Sequence, residues 1–599
     1  MKKAKRTTTD RRDASRRSPS QRLRGARLPL AVCALAFLVY SRSLFCGFVR
    51  DDTAQIIHNR QVQSWQYLPQ LLSSHLWSQV ARQDVSIKFY RPIFSVWMLV
   101  IHTFGGLEPW FWHLSSILLH VAATYLLFRV VQRLTQSDVG AVAGAAIFAV
   151  HPIHVEAVTW VSASCELLFA IFTLAALLAL LNRDKNGIPR VWMGALWFGA
   201  GLFAKETGIA MLAILPFLAW AQLKGVVGRE RRLWMAAYPY VVVGAACLLA
   251  RWGVMHRVGV EGGEHSWAET FFTAPSIFLF YLQKLFLPWR LSGSYIVPIG
   301  SSATAFWLQF SAVLGGLAVV AWVAIRYSPI FGLAAALIAI PVLPALAVVR
   351  IYPEWDMAHD RYLYVPSFAL SLLVAIVAKH ASTFGKPIKV ATTAVLIVVL
   401  IAFSAETIAQ QRYYQDDVAF YSRVIELNPS DAFARSMLGN VYLQEGRNDL
   451  ALVELRTASQ IAPDNQKVSL LVARGLFAAG EKRDAEAILM RLIEARDLDP
   501  RRQRLTKVAL ANVEINMGNL GYAQQLLEDV QQSDDRVPEL HWALGMLYQR
   551  QGLLQQAFVE FEKEYEITGD ESARQRSAAL ARLIKSRSGG NSAQETSGR

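Results

Sequence analysis

The sequence predicts an all-α protein in which a polytopic helical membrane domain is followed by a helical solenoid. Two observations lead to this fold class: long apolar runs up to about residue 411, and a regular spacing of glycines and prolines after it. The 599 residues are 53% hydrophobic and 18% charged, with a mean hydropathy of +0.27. Soluble globular proteins carry about 25% charged residues. The composition therefore excludes a disordered chain and argues against a wholly soluble one.

The N-terminal segment accounts for much of the net charge of +15. Residues 1–27 hold eleven Lys and Arg residues and few apolar ones, which predicts a disordered basic tail. The apolar segment 28–48 follows at once, and about twenty apolar residues span a bilayer. Basic residues ahead of a span hold that end in the cytoplasm, so the charge indicates a membrane and no nucleic-acid partner. A cleaved signal peptide is the alternative, although its apolar core would be only about 7–15 residues long.

Residues 28–411 alternate long apolar runs with short polar breaks, which predicts a membrane domain of about eleven spans. Two further runs are left open as spans. Run 92–104 is too short to cross a core of roughly 30 Å as a helix, and run 271–288 is interrupted by polar residues. The predicted spans are 28–48, 111–133, 139–157, 159–181, 190–204, 206–222, 233–252, 303–325, 329–349, 362–379 and 388–409.

The positive-inside rule decides how these spans are oriented. If runs 92–104 and 271–288 both stay on the outer side, thirteen basic residues of the short loops face the cytoplasm. If both runs span, nine of those thirteen residues are misplaced. We therefore predict a cytoplasmic N-terminus, a first outer loop over residues 49–110 and an outer C-terminal domain.

The C-terminal part contains an internal repeat of about 34 residues. The turn glycines are spaced by 34, 38 and 34 residues, and three prolines are spaced by 34 and 37. This pattern resembles the tetratricopeptide repeat, a helix–turn–helix unit that stacks into a solenoid with a concave groove. We predict a repeat domain over 412–585 and a disordered tail over 586–599. The groove could bind acceptor proteins, or the array could serve as a packing or dimerisation platform. The residues of the pattern are Gly446, Gly480, Gly518 and Gly552, and Pro429, Pro463 and Pro500.

Two adjacent carboxylates, Asp51 and Asp52, come directly after the first predicted span. Carboxylates at a membrane boundary are costly unless they are solvated, paired or functional. The same outer loop ends in Tyr90 and Arg91. These residues are therefore candidates for a site on the outer face, where a carboxylate could take the proton from an attacking hydroxyl.

A second outer turn carries two imidazoles and a carboxylate, at His151, His154 and Glu156. The spacing is HxxH with a proline inside it, and it differs from the HExxH motif of zinc proteases. A metal site is therefore considered but not favoured. A hydrogen-bonding cluster that positions a polar substrate and a merely interfacial polar turn both remain open.

Two cations complete the outer-face set. Lys205 lies at the tip of a hairpin between two short predicted spans, where it either pairs with Glu206 or meets a lipid-linked phosphate. Arg361 opens the penultimate span, either as a planar donor fork for phosphate or as an arginine that snorkels to the interface. Carboxylates, imidazoles and cations around one outer-leaflet site suit group transfer from a membrane-embedded phospholipid donor.

The residues around these positions resemble the transmembrane and tetratricopeptide repeat-containing O-mannosyltransferases, within the GT-C class of glycosyltransferases. The matching stretches are FVRDDTAQIIHN, YRPIFSVWMLVIHTFGG, HPIHVEAVTWVSASCELLFA, FAKETGIAMLAILP, LPWRLSGSYIVP and HDRYLYVPS, and they extend over nearly the whole membrane part. The resemblance implies a polyprenyl-phosphate sugar donor, the non-cytoplasmic face and inverting transfer of mannose to Ser or Thr hydroxyls. It also implies that Asp51 and Asp52 are the acidic catalytic motif.

The chain departs from the family at two places. The family usually has an Arg-Asp pair where this chain has Cys165 and Glu166, and a Glu before Arg361 where this chain has His359 and Asp360. The departures bear on the sugar and the acceptor more than on the reaction class. The residues predicted to contact the donor are Lys205, Arg361, His151, His154, Glu156, Tyr90 and Arg91.

The sequence thus predicts a lipid-phosphate-sugar-dependent protein O-glycosyltransferase with no certain cofactor; a divalent metal is considered but not favoured. The alternatives are a GT-C enzyme acting on a glycan or lipid, and a non-enzymatic membrane scaffold that presents the repeats. The outer part lacks an Asn-x-Ser/Thr sequon, because Asn428-Pro429-Ser430 is excluded by its proline. The bacterial inner membrane is therefore favoured over the endoplasmic reticulum, with the repeats periplasmic or lumenal.

Overall fold

The computed structural model describes residues 19–78, 89–182, 190–223, 229–256, 265–300, 302–348, 350, 356–495, 500–568 and 571–595. The chain forms two compact units: residues 1–77 with 86–423, and residues 78–85 with 424–599. Across the described residues there is no β-strand, and the one isolated β-bridge joins Tyr295 and Ala358. The predicted all-α class is therefore confirmed.

The first unit consists of helices joined by short 3₁₀ or π segments. Apolar runs form these helices because a helix satisfies its own backbone hydrogen bonds where no water is present. The helices are α1 (Pro19–Tyr40), α2 (Leu68–Ser73), α3 (Pro92–Gly105), α4 (Pro109–Thr135), α5 (Asp138–Val150), α6 (Val155–Thr159), α7 (Cys165–Leu181), α8 (Val191–Ala204), α9 (Leu215–Leu223), α10 (Arg229–Met255), α11 (Trp267–Phe286), α12 (Ala303–Arg326), α13 (Pro329–Val348), α14 (Ser367–Ala381), α15 (Lys386–Gln410) and α16 (Asp417–Leu427).

Seven helical segments of the described chain are long and apolar enough to cross a membrane, or eight if α5 and the segment Pro152–Thr159 form one span bent by 51°. This count is lower than the eleven predicted spans. Three predicted spans, 190–204, 206–222 and 362–379, correspond to shorter apolar helices, because polar residues and breaks end each helix early. Run 92–104 is likewise a short apolar helix. Helix α11, which covers residues 271–286 of run 271–288, is not among the helices that are long and apolar enough to cross a membrane. The seven segments are Arg27–Phe45, Pro109–Thr135, Val161–Leu181, Trp234–Met255, Ala303–Arg326, Pro329–Ala347 and Lys386–Tyr414.

The first helix begins ahead of the apolar run. Helix α1 starts at Pro19 and includes Pro29, so residues 19–27 of the predicted disordered tail are helical; residues 1–18 lie outside the described residues. Pro19 is tolerated in the first turn of α1 because the missing N–H of a proline has no helical partner there. Once nucleated by the apolar part, a helix extends at low cost into flanking polar residues.

Small residues bring the central helices close together. A Cβ on Gly144 of α5 would come within 2.3 Å of the Ser371 carbonyl oxygen in α14. A Cβ on Gly140 would come within 2.7 Å of the Ala375 carbonyl oxygen. Small residues at such crossings replace the hydrophobic driving force that is absent between helices in lipid. The backbones of α5 and α14 therefore approach each other closely.

The segment after the last long helix packs back on the first unit. The Gly47 N–H donates to the Gln415 carbonyl oxygen at 2.8 Å, and the Cys46 thiol lies 3.6 Å from the Gln411 carbonyl oxygen. The first unit accordingly extends to Arg423, beyond the composition boundary predicted at residue 411. Composition does not show where a polar segment packs.

The second unit is built of paired helices in tetratricopeptide-repeat order. The four predicted turn glycines all have positive φ, between +73° and +95°, a conformation that glycine adopts without the steric cost of a Cβ. The terminal helix α25 continues to Glu595, so residues 586–595 of the predicted disordered tail are helical. The pairs are α17 (Ala432–Gln444) with α18 (Asn448–Ile461), α19 (Gln466–Ala478) with α20 (Lys482–Glu494), α21 (Pro500–Met517) with α22 (Leu520–Ser533) and α23 (Leu540–Arg550) with α24 (Leu554–Thr568), followed by α25 (Glu571–Glu595).

Candidate functional site

The loop that carries the acidic pair is held from both sides. The Gly47 carbonyl oxygen lies 3.1 Å from Nε2 of His113 in α4. Arg50 has a φ of +52°, in the left-handed region that non-glycine residues rarely adopt. Its backbone N–H donates to Oδ1 of Asp417 at 2.7 Å. Asp51 and Asp52 therefore follow a residue whose backbone is fixed by a contact from another part of the chain.

Asp52 is fully buried and all its hydrogen bonds go to nearby protein groups. Its Oδ1 accepts the Ser162 backbone N–H at 2.7 Å and also the Ser162 hydroxyl, and its Oδ2 accepts the Val49 N–H at 3.2 Å. Burial raises the pKa of Asp52 to about 7, although these donors favour the ionised form. The carboxylate thus faces the start of the helical segment that leads into α7, and it anchors the loop.

The Asp51 carboxylate has a different environment from that of Asp52. It is half-buried, and across the described residues no donor is hydrogen-bonded to its carboxylate. Burial raises the pKa of Asp51 above its ordinary value, against the opposing effect of Arg50. The two carboxylates are therefore not equivalent: the Asp52 carboxylate accepts three hydrogen bonds from protein groups, and that of Asp51 accepts none from the described residues.

Arg50 joins the acidic pair to a second acidic segment. Its guanidinium pairs with Oδ1 of Asp356 at 3.2 Å and donates to the Gly293 carbonyl oxygen at 3.5 Å. Nε2 of His359 lies 3.3 Å from the same Asp356 oxygen. Burial opposes ionisation of Asp356, but Arg50 and His359 hold the pKa of its carboxyl well below its usual range. Neither Arg50 nor Asp356 is among the predicted site residues, because their pairing joins positions 306 residues apart.

Arg361 forms an ion pair with Glu156, which brings two of the predicted site residues together. The Glu156 carboxylate accepts the Arg361 backbone N–H at 2.9 Å and also its guanidinium, and it lies 3.2 Å from Nδ1 of His359. Burial and Arg361 oppose protonation of His359, but Glu156 and Asp356 together raise its pKa above the ordinary value. Arg361 is therefore held by a fully buried carboxylate.

Trp160 connects the two arginines. The Arg50 and Arg361 guanidinium carbons lie 5.1 Å and 4.8 Å from the centre of its ring, a separation typical of cation–π contact. Arg361 also lies 5.1 Å from the ring centre of Tyr362, and the Lys205 ammonium lies 5.0 Å from the same ring. Three cations thus follow one another along two aromatic rings beside the acidic loop.

Lys205 pairs with Glu166 and not with Glu206, so the neighbour-pair alternative is wrong. Glu206 instead accepts both Nε and NH2 of Arg91, at 2.9 Å and 2.8 Å. Residue 205 has extended backbone, with φ −153°, at the junction of α8 and the following 3₁₀ segment. Lys205 and Glu206 therefore have different partners.

The imidazoles and the predicted tyrosine each contact other protein groups. Both ring nitrogens of His151 contact backbone groups, at Leu285 and Ile153. His154 contacts the Ser367 hydroxyl at 2.9 Å, and both histidines are fully buried. The Tyr90 hydroxyl donates to the Leu72 carbonyl oxygen at 2.7 Å. All three side chains thus contact protein groups, and their role in donor binding stays a prediction.

A small polar cavity adjoins the ion-pair network. Glu156, Asp360 and Arg423 line it together with Tyr414. Burial and Glu156 raise the pKa of Asp360 to about 8, and the Tyr295 hydroxyl donates to it at 2.9 Å. Among the described residues, no three His, Cys, Asp or Glu side chains are grouped closely enough to hold a metal ion.

Two parts of the chain match known protein families. Residues 91–252 match the family described as Dolichyl-phosphate-mannose-protein mannosyltransferase. Residues 442–509 match the family described as Tetratricopeptide repeat. The predicted resemblance to membrane O-mannosyltransferases with such repeats is therefore confirmed, with the two matches in the predicted order.

The chain is also similar to curated animal proteins. Human protein O-mannosyl-transferase TMTC3 is 24% identical over 531 residues, which is 80% of this chain and 57% of the human protein. Protein O-mannosyl-transferase Tmtc1 of Drosophila melanogaster is 35% identical over 206 residues, which is 34% of this chain and 23% of the fly protein. The chain thus spans little more than half the length of the human relative. These relatives lend no support to a bacterial inner membrane.

Among solved structures, ArnT from Cupriavidus metallidurans bound to undecaprenyl phosphate is 13% identical to this chain. The superposition covers 79% of this chain and 81% of ArnT, with a TM-score of 0.39.

Proposed function

We propose that this protein is a membrane glycosyltransferase that moves mannose from a polyprenyl-phosphate donor to Ser and Thr hydroxyls of proteins on the non-cytoplasmic face. The family match over residues 91–252 supports the donor class, and the curated relatives named protein O-mannosyl-transferases support the acceptor class. The observation that carries the proposal is the Asp51 carboxylate. It is half-buried and without a hydrogen-bond donor among the described residues, in a loop that is fixed on either side of it.

The geometry suits a single displacement in which each group has a different role. The acceptor hydroxyl oxygen attacks the anomeric carbon, and the bond from that carbon to the phosphate oxygen breaks. The hydroxyl proton passes to Asp51, whose raised pKa suits a general base better than that of an exposed carboxylate. The polyprenyl phosphate leaves with the electron pair of the broken bond, and the configuration at the anomeric carbon is inverted.

The row of Arg50, Arg361 and Lys205 supplies the positive charge for the departing phosphate. Each cation already has a carboxylate partner, at Asp356, Glu156 and Glu166. Such partners hold the cations in place before the donor arrives, which is how preorganised charge stabilises a transition state. Arginine offers five donors in a fixed fork, so Arg361 can keep Glu156 while donating to phosphate.

Two alternatives remain to be separated from this proposal. A GT-C enzyme with a glycan or lipid acceptor would need the same Asp51 but would not glycosylate a peptide. A non-enzymatic scaffold that presents the repeats would not need Asp51 and would not glycosylate a peptide. Binding of acceptor proteins by the repeat groove and the bacterial or endoplasmic-reticulum location are parts of the proposal that other experiments must address.

The test is turnover of purified full-length protein with a polyprenyl-phosphate mannose and a Ser/Thr peptide. Asp51→Asn should lose about 10²–10⁴-fold in kcat while still binding the donor. Glu108→Gln is the matched control, because Glu108 is an exposed carboxylate of the same predicted outer loop. Retention of more than half the wild-type turnover in Asp51→Asn would remove the catalytic assignment, and transfer to lipid but not to peptide would favour the first alternative.

A further inference from the structure

Arg50 has a backbone conformation that its own sequence does not favour. A non-glycine residue in the left-handed region is strained and persists only where the surrounding structure holds it. The φ of Arg50 is +52°, and Asp51 is the next residue. The direction of the Asp51 side chain therefore depends on whatever holds Arg50.

The contact that fixes the Arg50 backbone comes from the start of α16. The Arg50 N–H donates to Oδ1 of Asp417 at 2.7 Å. This segment also reaches the loop at Gly47, whose N–H donates to the Gln415 carbonyl oxygen at 2.8 Å. The neighbouring Asp416 does not contact the loop in this way, because its Oδ1 accepts the Ala419 N–H within α16 and its side chain is exposed.

We propose that Asp417 is a positioning residue for the transfer reaction: it holds Arg50 in the left-handed conformation and so aims Asp51 at the acceptor hydroxyl. The inference rests on the proposed function, because it takes Asp51 as the general base. Asp417 acts through the backbone and touches no substrate. No part of the donor site needs to change for it to act.

The loop has one anchor on each side of Asp51, and both are needed to fix its direction. Asp52 is anchored by Ser162, before α7, and Arg50 is anchored by Asp417, at the start of α16. If the second anchor is lost, Arg50 can relax to an ordinary φ and rotate the peptide that precedes Asp51. A displacement of about 1 Å of a catalytic group costs on the order of 10²-fold in rate. Arg361 and Lys205 keep their carboxylate partners Glu156 and Glu166, so donor binding should change less than kcat.

The first experiment compares three variants of the full-length protein in detergent or nanodiscs. Asp417→Ala removes the acceptor and should lower kcat about 10- to 100-fold, with a smaller change in the donor Kd. Asp417→Asn keeps an oxygen at the same position and should retain kcat within about threefold. Asp416→Ala is the matched control, since it removes the adjacent carboxylate and a helix cap without touching Arg50. Equal losses in Asp417→Ala and Asp416→Ala would overturn the inference and indicate a general effect on α16.

The second experiment asks whether the backbone of residue 50 is what Asp417 controls. Glycine adopts a positive φ without a holding contact, so Asp417→Ala should reduce kcat much less in an Arg50→Gly background than in the wild type. A double-mutant cycle measures this difference. Additive losses would overturn the inference.

Amide hydrogen exchange provides a readout that does not depend on the reaction. In Asp417→Ala, exchange over residues 46–52 should be faster than in the wild type, and in Asp417→Asn it should be close to the wild type. If the wild type shows no transfer at all, the proposed function is wrong. If exchange over residues 46–52 is unchanged in Asp417→Ala, the positioning role alone is wrong.

Discussion

Four cations of the first unit each face a carboxylate: Arg50, Arg91, Lys205 and Arg361 pair with Asp356, Glu206, Glu166 and Glu156. All eight side chains are at most 19% exposed. Removing one partner of a buried pair leaves an uncompensated charge, whereas removing both is often nearly neutral. A single substitution at this site therefore reports on stability as well as on donor binding.

The pair of Lys205 with Glu166 allows the two effects to be separated. Lys205→Ala alone should destabilise the protein by about 3–5 kcal/mol, because Glu166 is left buried and unpaired. Adding Glu166→Gln should restore most of the unfolding temperature but not the affinity for the lipid donor. Thermal unfolding and donor titration of the single and double variants measure this. Recovery of donor affinity in the double variant would assign Lys205 to structure alone.

The titration of Asp51 predicts how the rate depends on pH. A general base must be ionised to accept a proton, and burial raises the pKa of Asp51 above its ordinary value of about 4. The rate should therefore fall as the pH is lowered through this raised pKa, before other exposed carboxylates titrate. A pH profile of kcat measures the midpoint, and the residual rate of Asp51→Asn should lack the acidic limb. A wild-type rate that stays flat down to about pH 4 would contradict the assignment.

At the scale of elements, the membrane helices depend on glycine where their backbones meet. The contact of α5 with α14 leaves no space at Gly144, since a Cβ there would come within 2.3 Å of the Ser371 carbonyl oxygen. A Cβ on Gly315 of α12 would meet nothing within 4 Å. The same substitution should therefore have opposite effects at the two positions.

We expect Gly144→Ala to destabilise the protein, because overpacking typically costs about 1–3 kcal/mol. Gly315→Ala should be neutral or should stabilise by up to about 1 kcal/mol, because alanine favours an open helix position. Thermal unfolding of the two variants in the same detergent compares them directly. Similar changes in both would mean that the close approach of α5 and α14 does not limit stability.

At the scale of the whole molecule, the predicted topology determines which residues share one face of the membrane. Nine basic residues depend on whether runs 92–104 and 271–288 span. A cysteine at Gly225, which lies outside the described residues, should be shielded from membrane-impermeant thiol reagents in intact cells. A cysteine at the exposed Gly521 of the repeats should be labelled. The four native cysteines are buried or half-buried, so they give a low background.

Labelling at residue 225 would reverse the predicted orientation of that loop. It would also place the first three cytoplasmic loops outside, which is incompatible with eleven spans. Absence of labelling at both positions would put the repeats on the cytoplasmic side and contradict an acceptor site on the outer face.

The sequence by itself determined the class of each part of the chain. Apolar runs must become helices in lipid because the backbone has no other way to satisfy its hydrogen bonds. The turn glycines Gly446, Gly480, Gly518 and Gly552 mark the repeat turns, because each needs a positive φ. The acidic pair could be placed after the first span because Asp51 and Asp52 directly follow the apolar run 28–48 along the chain.

Only the tertiary structure decided which of these residues act together. The partners of Asp52 at Ser162, of Lys205 at Glu166 and of Arg50 at Asp356 lie 110, 39 and 306 residues away along the chain. Pattern and spacing carry no information about such pairs, because helix packing determines which side chains meet. The difference between Asp51 and Asp52 has this origin: packing brings Ser162 to Asp52, and it brings no hydrogen-bond donor of the described residues to the Asp51 carboxylate.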